Sequence, residues 1–352
     1  MIAVKIVALF LLPTCTTNAL SSIRIGTRPS KLAMVQAKKI QQLLHDAIQA
    51  NDSTSSPIRS EIVPIDAAGD NNSPVAASQD VPLAMKTVDF TGALDDALTD
   101  GTIDVAVHSL KDIPPSNRWK DDLVIGSYSE REDPLDVLVS DECSTLAGLP
   151  KNARVGSASI RRQAQLLSHR PDVKVVSIRG NVIARLAALE RGDVDALILA
   201  AAGLERLSRS ESNDSISLPY HRIDADDVLP GVGQGIIAAV CRKDDHKTLS
   251  LLNFVDNRTS RITAVAERAF LNVVDTMEHE WPGRPPCAAY MSRDDKGYLF
   301  RGVLLTPNGT KKVETSLRIP IKCSTSEAFG LGTKAGRELR EKAGTSFFVG
   351  AG

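Results

Sequence analysis

From Ile23 onward, apolar residues recur in two alternating rhythms. IRIG at 23–26 is strand-like. PSKLAMVQAKKIQQLLHDAI at 29–48 spaces its apolar side chains three and four apart, the period of a helix with one buried face. SEIVPIDAA at 60–68 predicts the next strand, and the small polar run at 69–80 predicts an exposed loop. FTGALDDALTDG predicts a helix closed by Gly101, followed by the buried strand IDVAVHSL at 103–110. The same grammar returns at 153–201. ARVGSASIRRQAQLLSHR is strand, turn and helix, VKVVSIRG is a strand, and NVIARLAALERG is a helix ended by Gly192. The apolar run VDALILAA then suits a parallel strand covered on both faces.

The two stretches echo each other. Arg24-Ile25-Gly26-Thr27 matches Arg154-Val155-Gly156-Ser157, each opening a helix, and Gly101 to Ala106 matches Gly192 to Leu197. The fold class is therefore α/β, with two related lobes enclosing a cleft at the C-terminal ends of their strands. Pro230 to Gly235 reads either as a crossing between lobes or as a Gly-rich surface loop. After Ser260 comes a third region: a helix at 261–275, a hairpin at 298–319 turning at Asn308-Gly309, and a closing helix at 326–344.

Composition changes this picture little. The 352 residues carry a net charge of −1 and only 4% aromatics, which speaks against nucleic-acid binding and an anionic membrane. The five cysteines, at 15, 143, 241, 287 and 323, are too scattered for a zinc site, so no metal is expected. The first 12 residues, MIAVKIVALFLL, followed by small residues up to Ala19, read as a secretory-type signal, too short to span a membrane well.

Chemistry concentrates at turn-to-helix junctions. Ser157, Ser159, Arg161 and Arg162 open the second lobe's first helix, where free N–H groups and guanidinium forks favour a carboxylate. Arg28 and Ser30 hold the matching place in the first lobe. Arg179, Arg185 and Arg206 sit near the ends of later elements. So many groups exceed the needs of one small anion and suit a polycarboxylate; singly, each arginine is equally a solvated surface residue. Asp112, beside Lys111 at the end of a strand, suits either stabilisation of a cation or a turn cap. No phosphate-binding loop or nucleophile elbow is present.

IRIGTRPSKLAMVQA, DVAVHSLKDIP, REDPLDVLVS, RVGSASIRRQAQL, IRGNVIARLAALERGDVDALILAAAGLERL, LPGVGQGI and AERAFL occur in this order over residues 23–271. In these motifs the chain resembles the porphobilinogen deaminases (hydroxymethylbilane synthases). The resemblance implies two periplasmic-binding-protein-like lobes, 22–127 with 236–254 and 133–230, plus a small α+β C-terminal domain at 258–352. It implies a transferase that condenses four porphobilinogen into the linear tetrapyrrole hydroxymethylbilane, releasing ammonia. Asp112 would be the catalytic carboxylate. Arg28, Ser30, Lys111, Ser157, Ser159, Arg161, Arg162, Arg179, Arg185 and Arg206 would bind substrate and the covalent dipyrromethane cofactor. A monomer is implied, and a plastid location reached through an ER-type signal, with the cytoplasm as the alternative.

Two departures stand out. The stretch at 85–92, which the family uses as a Gly/Lys-rich lid, has fewer glycines here. The family's cofactor cysteine aligns with Gly283, and the nearest thiol, Cys287, stands four positions later. Three readings stay open: Cys287 is the anchor through a rebuilt loop, the chain lacks the covalent cofactor, or the sequence is mis-spliced at 275–290. The rival function is a non-catalytic paralogue that binds pyrroles or linear tetrapyrroles; an ordinary solute-binding protein is more remote.

Overall fold

The computed structural model describes residues 22–51, 59–67, 90–209, 219–277 and 284–349. The signal-like residues 1–19, most of the lid stretch and Gly283 lie outside the described residues.

The first lobe contains β1 (Ser22–Thr27), α1 (Lys31–Asn51), β2 (Arg59–Pro64), α2 (Gly92–Thr99), β3 (Val105–Ser109) and β4 (Leu123–Tyr128). The second contains β5 (Asp136–Val139), β6 (Arg154–Gly156), α3 (Ile160–His169), β7 (Lys174–Val176), α4 (Val182–Glu190), β8 (Ala196–Ala200), α5 (Ala201–Ser208) and β9 (Tyr220–Arg222). The chain then returns to the first lobe as β10 (Ile237–Arg242) and α6 (His246–Asn253). The sheets are ordered β2-β1-β3-β10-β4 and β7-β6-β8-β5-β9. In each, the strand that has just crossed between lobes, β10 or β5, lies antiparallel beside the third strand of the repeat.

The repeated sequence grammar has a physical counterpart. In the first lobe Asp104 accepts from the Arg24 backbone at 2.9 Å and from its guanidinium at 2.8 Å. In the second, Asp195 accepts from the Arg154 backbone at 2.7 Å and from its guanidinium at 2.5 Å. Each bridge locks the first strand of a repeat to its third. Gly101 and Gly192 close α2 and α4 with φ of 78° and 74°, a left-handed conformation that glycine adopts without strain. The apolar face of α1, Ala33, Ala37, Ile40 and Leu44, is buried against this framework, as its spacing predicts.

The third unit packs α7 (Arg258–Val274) and α8 (Thr325–Ala343) on the antiparallel sheet β11 (Cys287–Asp294), β12 (Gly297–Leu305) and β13 (Lys312–Ile319). Phe270 and Phe300 meet at the centre, with ring centroids 5.6 Å apart. Ser324 and Glu327 form a capping box at the start of α8. The expected fold class, two α/β lobes around a cleft with a small third domain, is the one observed. Pro230 to Gly235 is the crossing back between lobes, and it is largely buried.

Both crossings run side by side and are pinned to the third unit. The Glu132 N–H donates to Gly235 at 3.1 Å, and the Gln234 side chain donates to the Pro134 carbonyl at 2.7 Å. Glu267 on α7 is fully buried. It accepts from Arg131 at 2.5 Å, from the Gly233 N–H at 2.7 Å and from the Met291 N–H at 2.8 Å. Gly235 has φ +90°, and a Cβ there would stand 2.4 Å from the Glu132 carbonyl oxygen, so only glycine fits. Among the described residues no helix is long and apolar enough to cross a membrane, and Cys143, Cys241, Cys287 and Cys323 are free thiols.

Candidate active site

A cleft lies between the lobes. Arg28, Gln36, Phe90, His108, Lys111 and Asp112 line it from the first lobe, with Ala200, Gly203 and Arg206 from the second and Gly233 and Gly235 from the crossing. Asp112 ends a short 3-10 turn, Leu110–Asp112, that follows β3. The turn is held by the Leu110 N–H, which donates to the Ile236 carbonyl at 3.0 Å, so the strand that returns to this lobe fixes the carboxylate's position.

The groups around Asp112 are cationic. Lys111 is exposed at the cleft, and the protein packed around it lowers its pKa to about 8. The Arg162 and Arg161 cations add to that fall, while Asp112 and Asp136 oppose it. Arg185 on α4 donates to the Gly180 carbonyl at 2.9 Å. Burial lowers it to about 10, with Arg162 and Arg179 pulling the same way and Asp112 opposing. Asp112 thus shares one electrostatic environment with Lys111, Arg162 and Arg185. Arg28 lies 4.6 Å over the Phe90 ring, a cation–π contact at the cleft wall.

The other expected residues flank the cleft rather than line it. Ser30 precedes α1 and accepts from the Ala33 N–H at 3.4 Å. Ser157 is buried after β6 and accepts from the Ser159 N–H at 3.2 Å; Ser159 takes the N-cap position of α3. Arg179 is half-buried just before α4. Arg161 and Arg162 are buried, and both are turned on Asp136 of β5, at 2.7 Å and 2.8 Å. Arg161 also donates to the Leu229 carbonyl at 2.7 Å, and Arg162 to the Ile198 carbonyl at 3.2 Å.

Asp136 is one residue that sequence reasoning missed. Its carboxylate is fully enclosed and also accepts from Gln234 at 2.9 Å. Burial alone would raise its pKa, but the Arg161 and Arg162 cations outweigh that and hold it far below the ordinary carboxylate range. A signal was present in the sequence: an aspartate inside the apolar strand DVLV must find a buried cation. Two other residues also escaped notice: Glu132 contacts Arg206, and Gln36 donates to Ser109 at 2.8 Å. His108 is buried beside Asp95, its Nε2 3.8 Å from Oδ1.

Cys287 is the first residue of β11, in register with Leu304, and packs on the core of the third unit together with Val232 of the crossing. Burial pushes its thiol up to about 12; Asp275 adds to this, while Arg284 and Arg161 oppose it.

Comparison with known proteins places the chain among relatives. The family model described as porphobilinogen deaminase, dipyromethane cofactor binding domain, matches residues 23–250. The chloroplastic porphobilinogen deaminase of Oryza sativa subsp. japonica is 40% identical over 332 residues, 93% of this chain and 86% of that protein. The porphobilinogen deaminase of Nitrobacter winogradskyi is 37% identical over 92% of this chain and 95% of its own length. The chloroplastic enzyme of Pisum sativum is 36% identical over 94% of this chain and 84% of its own. Among solved structures, the methionine-binding protein MetQ is 12% identical over 69% of this chain and 93% of that one, with a TM-score of 0.39. On the family match and the identity over nearly its whole length, the chain belongs to the porphobilinogen deaminase family.

Proposed function

We propose that this chain is a hydroxymethylbilane synthase, which condenses porphobilinogen units into a linear tetrapyrrole in its interlobe cleft. The observation that carries this reading is Asp112, a carboxylate lining the cleft in one electrostatic environment with Lys111, Arg162 and Arg185. In each condensation the aminomethyl C–N bond of one porphobilinogen breaks and ammonia leaves. The freed carbon bonds to the open α-carbon of the next pyrrole, which gives up its proton. Positive charge develops on the pyrrole nitrogen, and a fixed carboxylate in a poorly hydrated cleft stabilises it without reorganising. The cations serve the other end of the substrate, its acetate and propionate. Arg28, Lys111 and Arg206 line the cavity, and Ser30, Ser157, Ser159, Arg161, Arg162, Arg179 and Arg185 surround it as binding residues.

The dipyrromethane cofactor of the family divides into two requirements. Its carboxylates fit the Arg and Ser set. Its thioether anchor does not fit Cys287 as folded, because that half-buried thiol begins a strand packed on the third unit's core and resists ionisation. The same observation favours a second reading, a non-catalytic paralogue that binds pyrroles through the same cations. The chloroplastic relatives support a plastid location for this chain, and the signal-like start supports entry by an ER-type route. The test is ammonia release from porphobilinogen by the parent and by Asp112→Asn. The parent should release ammonia and the variant should not, with both binding a pyrrole that bears acetate and propionate. Binding without release in the parent favours the paralogue.

A further inference from the structure

Behind the cleft wall where α1 and α5 meet, a carboxylate of the protein itself holds Arg206, which lines the cleft. These helices come from opposite lobes and pack directly, with Gly203 of α5 facing Leu32 of α1. Beside this contact lies Glu132, in the crossing from β4 to β5. One of its oxygens accepts from Lys39 of α1 and the other from Arg206 of α5, at 2.7 Å. Arg206 also donates to the Gly235 carbonyl at 2.9 Å, in the second crossing. The Glu132–Arg206 pair therefore ties lobe 1, lobe 2 and both crossings together. The tie is well shielded: Arg206 is only 6% exposed, and the two cations hold Glu132 below its ordinary pKa against the opposing effect of burial.

Arg206 has a second aspect, because it lines the cleft that Asp112 faces. Its Nε and one terminal nitrogen, the edge that pairs bidentately with a carboxylate, are taken by Glu132 and the Gly235 carbonyl, so a carboxylate seeking that edge must displace Glu132. We propose that Glu132 is an internal competitor for Arg206, standing where a pyrrole carboxylate would otherwise bind. A carboxylate arriving from the cleft draws Arg206 away from Glu132, which loosens the α1–α5 tie and lets the lobes separate as the cleft fills. Glu132 is thus a positioning residue that couples occupancy to lobe spacing. This rests on the carboxylate-binding reading above.

Two variants give opposite signs. Glu132→Gln removes the competitor and leaves Arg206 and Lys39 as open cations, so carboxylate affinity rises several-fold. Lys39→Met removes the rival cation, so Glu132 grips Arg206 harder and affinity falls. Lys39 is partly exposed, so its loss leaves the fold intact even where Glu132→Gln does not fold. The probe is a pyrrole bearing one acetate and one propionate but no aminomethyl group, which cannot start a condensation. Its Kd is measured by calorimetry on the full chain, with amide exchange in α1 and α5 followed on the same samples. In turnover, Glu132→Gln should lower KM more than it changes kcat. Exchange in α1 and α5 should quicken when the parent binds the probe and be quick in Glu132→Gln without it. Weaker binding in both variants, or no change in Lys39→Met, would make Glu132 a structural tie only and overturn the proposal. A parent that fails to bind the probe would instead overturn the carboxylate-binding reading.

Discussion

Asp136→Asn is the sharpest perturbation the structure offers away from the cleft itself. It keeps the side chain's shape and one acceptor oxygen but removes a negative charge enclosed with two guanidiniums. Arg161 and Arg162 approach it at 2.7 Å and 2.8 Å, and Gln234 donates to it at 2.9 Å. The local charge goes from one net positive to two, with both arginine side chains 10% exposed or less. Breaking a buried pair by removing one partner costs about 3–5 kcal/mol, because the cation left behind stays desolvated. At about 2 °C per kcal/mol for a long chain, Tm falls by roughly 6–10 °C. The pH dependence has a definite sign. The carboxyl's folded pKa lies below its unfolded value of about 3.9, so its contribution is fully present above that pH and lost as pH falls through the folded pKa. Calorimetric scans of parent and variant should therefore differ by a constant amount from pH 5 to 8. The gap should shrink below about pH 4. A Tm within 1 °C of the parent's at pH 7, by the same roughly 2 °C per kcal/mol, would refute the claim that the two arginines depend on Asp136.

Three further outcomes follow from the same geometry. Affinity for the pyrrole probe should weaken as pH rises through about 8, where Lys111 loses its proton, and Lys111→Met should flatten that profile in calorimetric titrations. Gly235→Ala should cost about 1–3 kcal/mol for the left-handed backbone alone, and more for the clash with the Glu132 carbonyl, read as a lowered urea midpoint. Intact mass of chain expressed with porphobilinogen should show no two-pyrrole adduct on Cys287, and Cys287→Ser should leave the mass pattern otherwise unchanged; an adduct lost in the variant would show that β11 opens at its first residue.

The fold was legible because its signals are local. Helix spacing in α1, the glycines that close α2 and α4, and the paired Arg-Ile-Gly-Thr and Arg-Val-Gly-Ser segments all lie within short windows of sequence. The strand order was not legible, since β10 joins a sheet begun far earlier in the chain and β5 pairs with β8 and β9, which come much later, and no short window records either. The site divides in the same way. Asp112 and the cations at helix starts stand out from their immediate neighbours. Asp136 and Glu132 gain meaning only from partners brought from distant elements: Arg161 and Arg162 on α3 for one, Lys39 and Arg206 on two lobes for the other. Cys287, four positions past the place of the family's cofactor cysteine, begins β11.

The central claim is that a carboxylate among cations condenses pyrroles in this cleft. It is tested most directly by incubating the purified chain with porphobilinogen and quantifying linear tetrapyrrole and ammonia together. The account predicts four ammonia released per tetrapyrrole by the parent and neither product from Asp112→Asn. Tetrapyrrole formed by Asp112→Asn at the parental rate would contradict it.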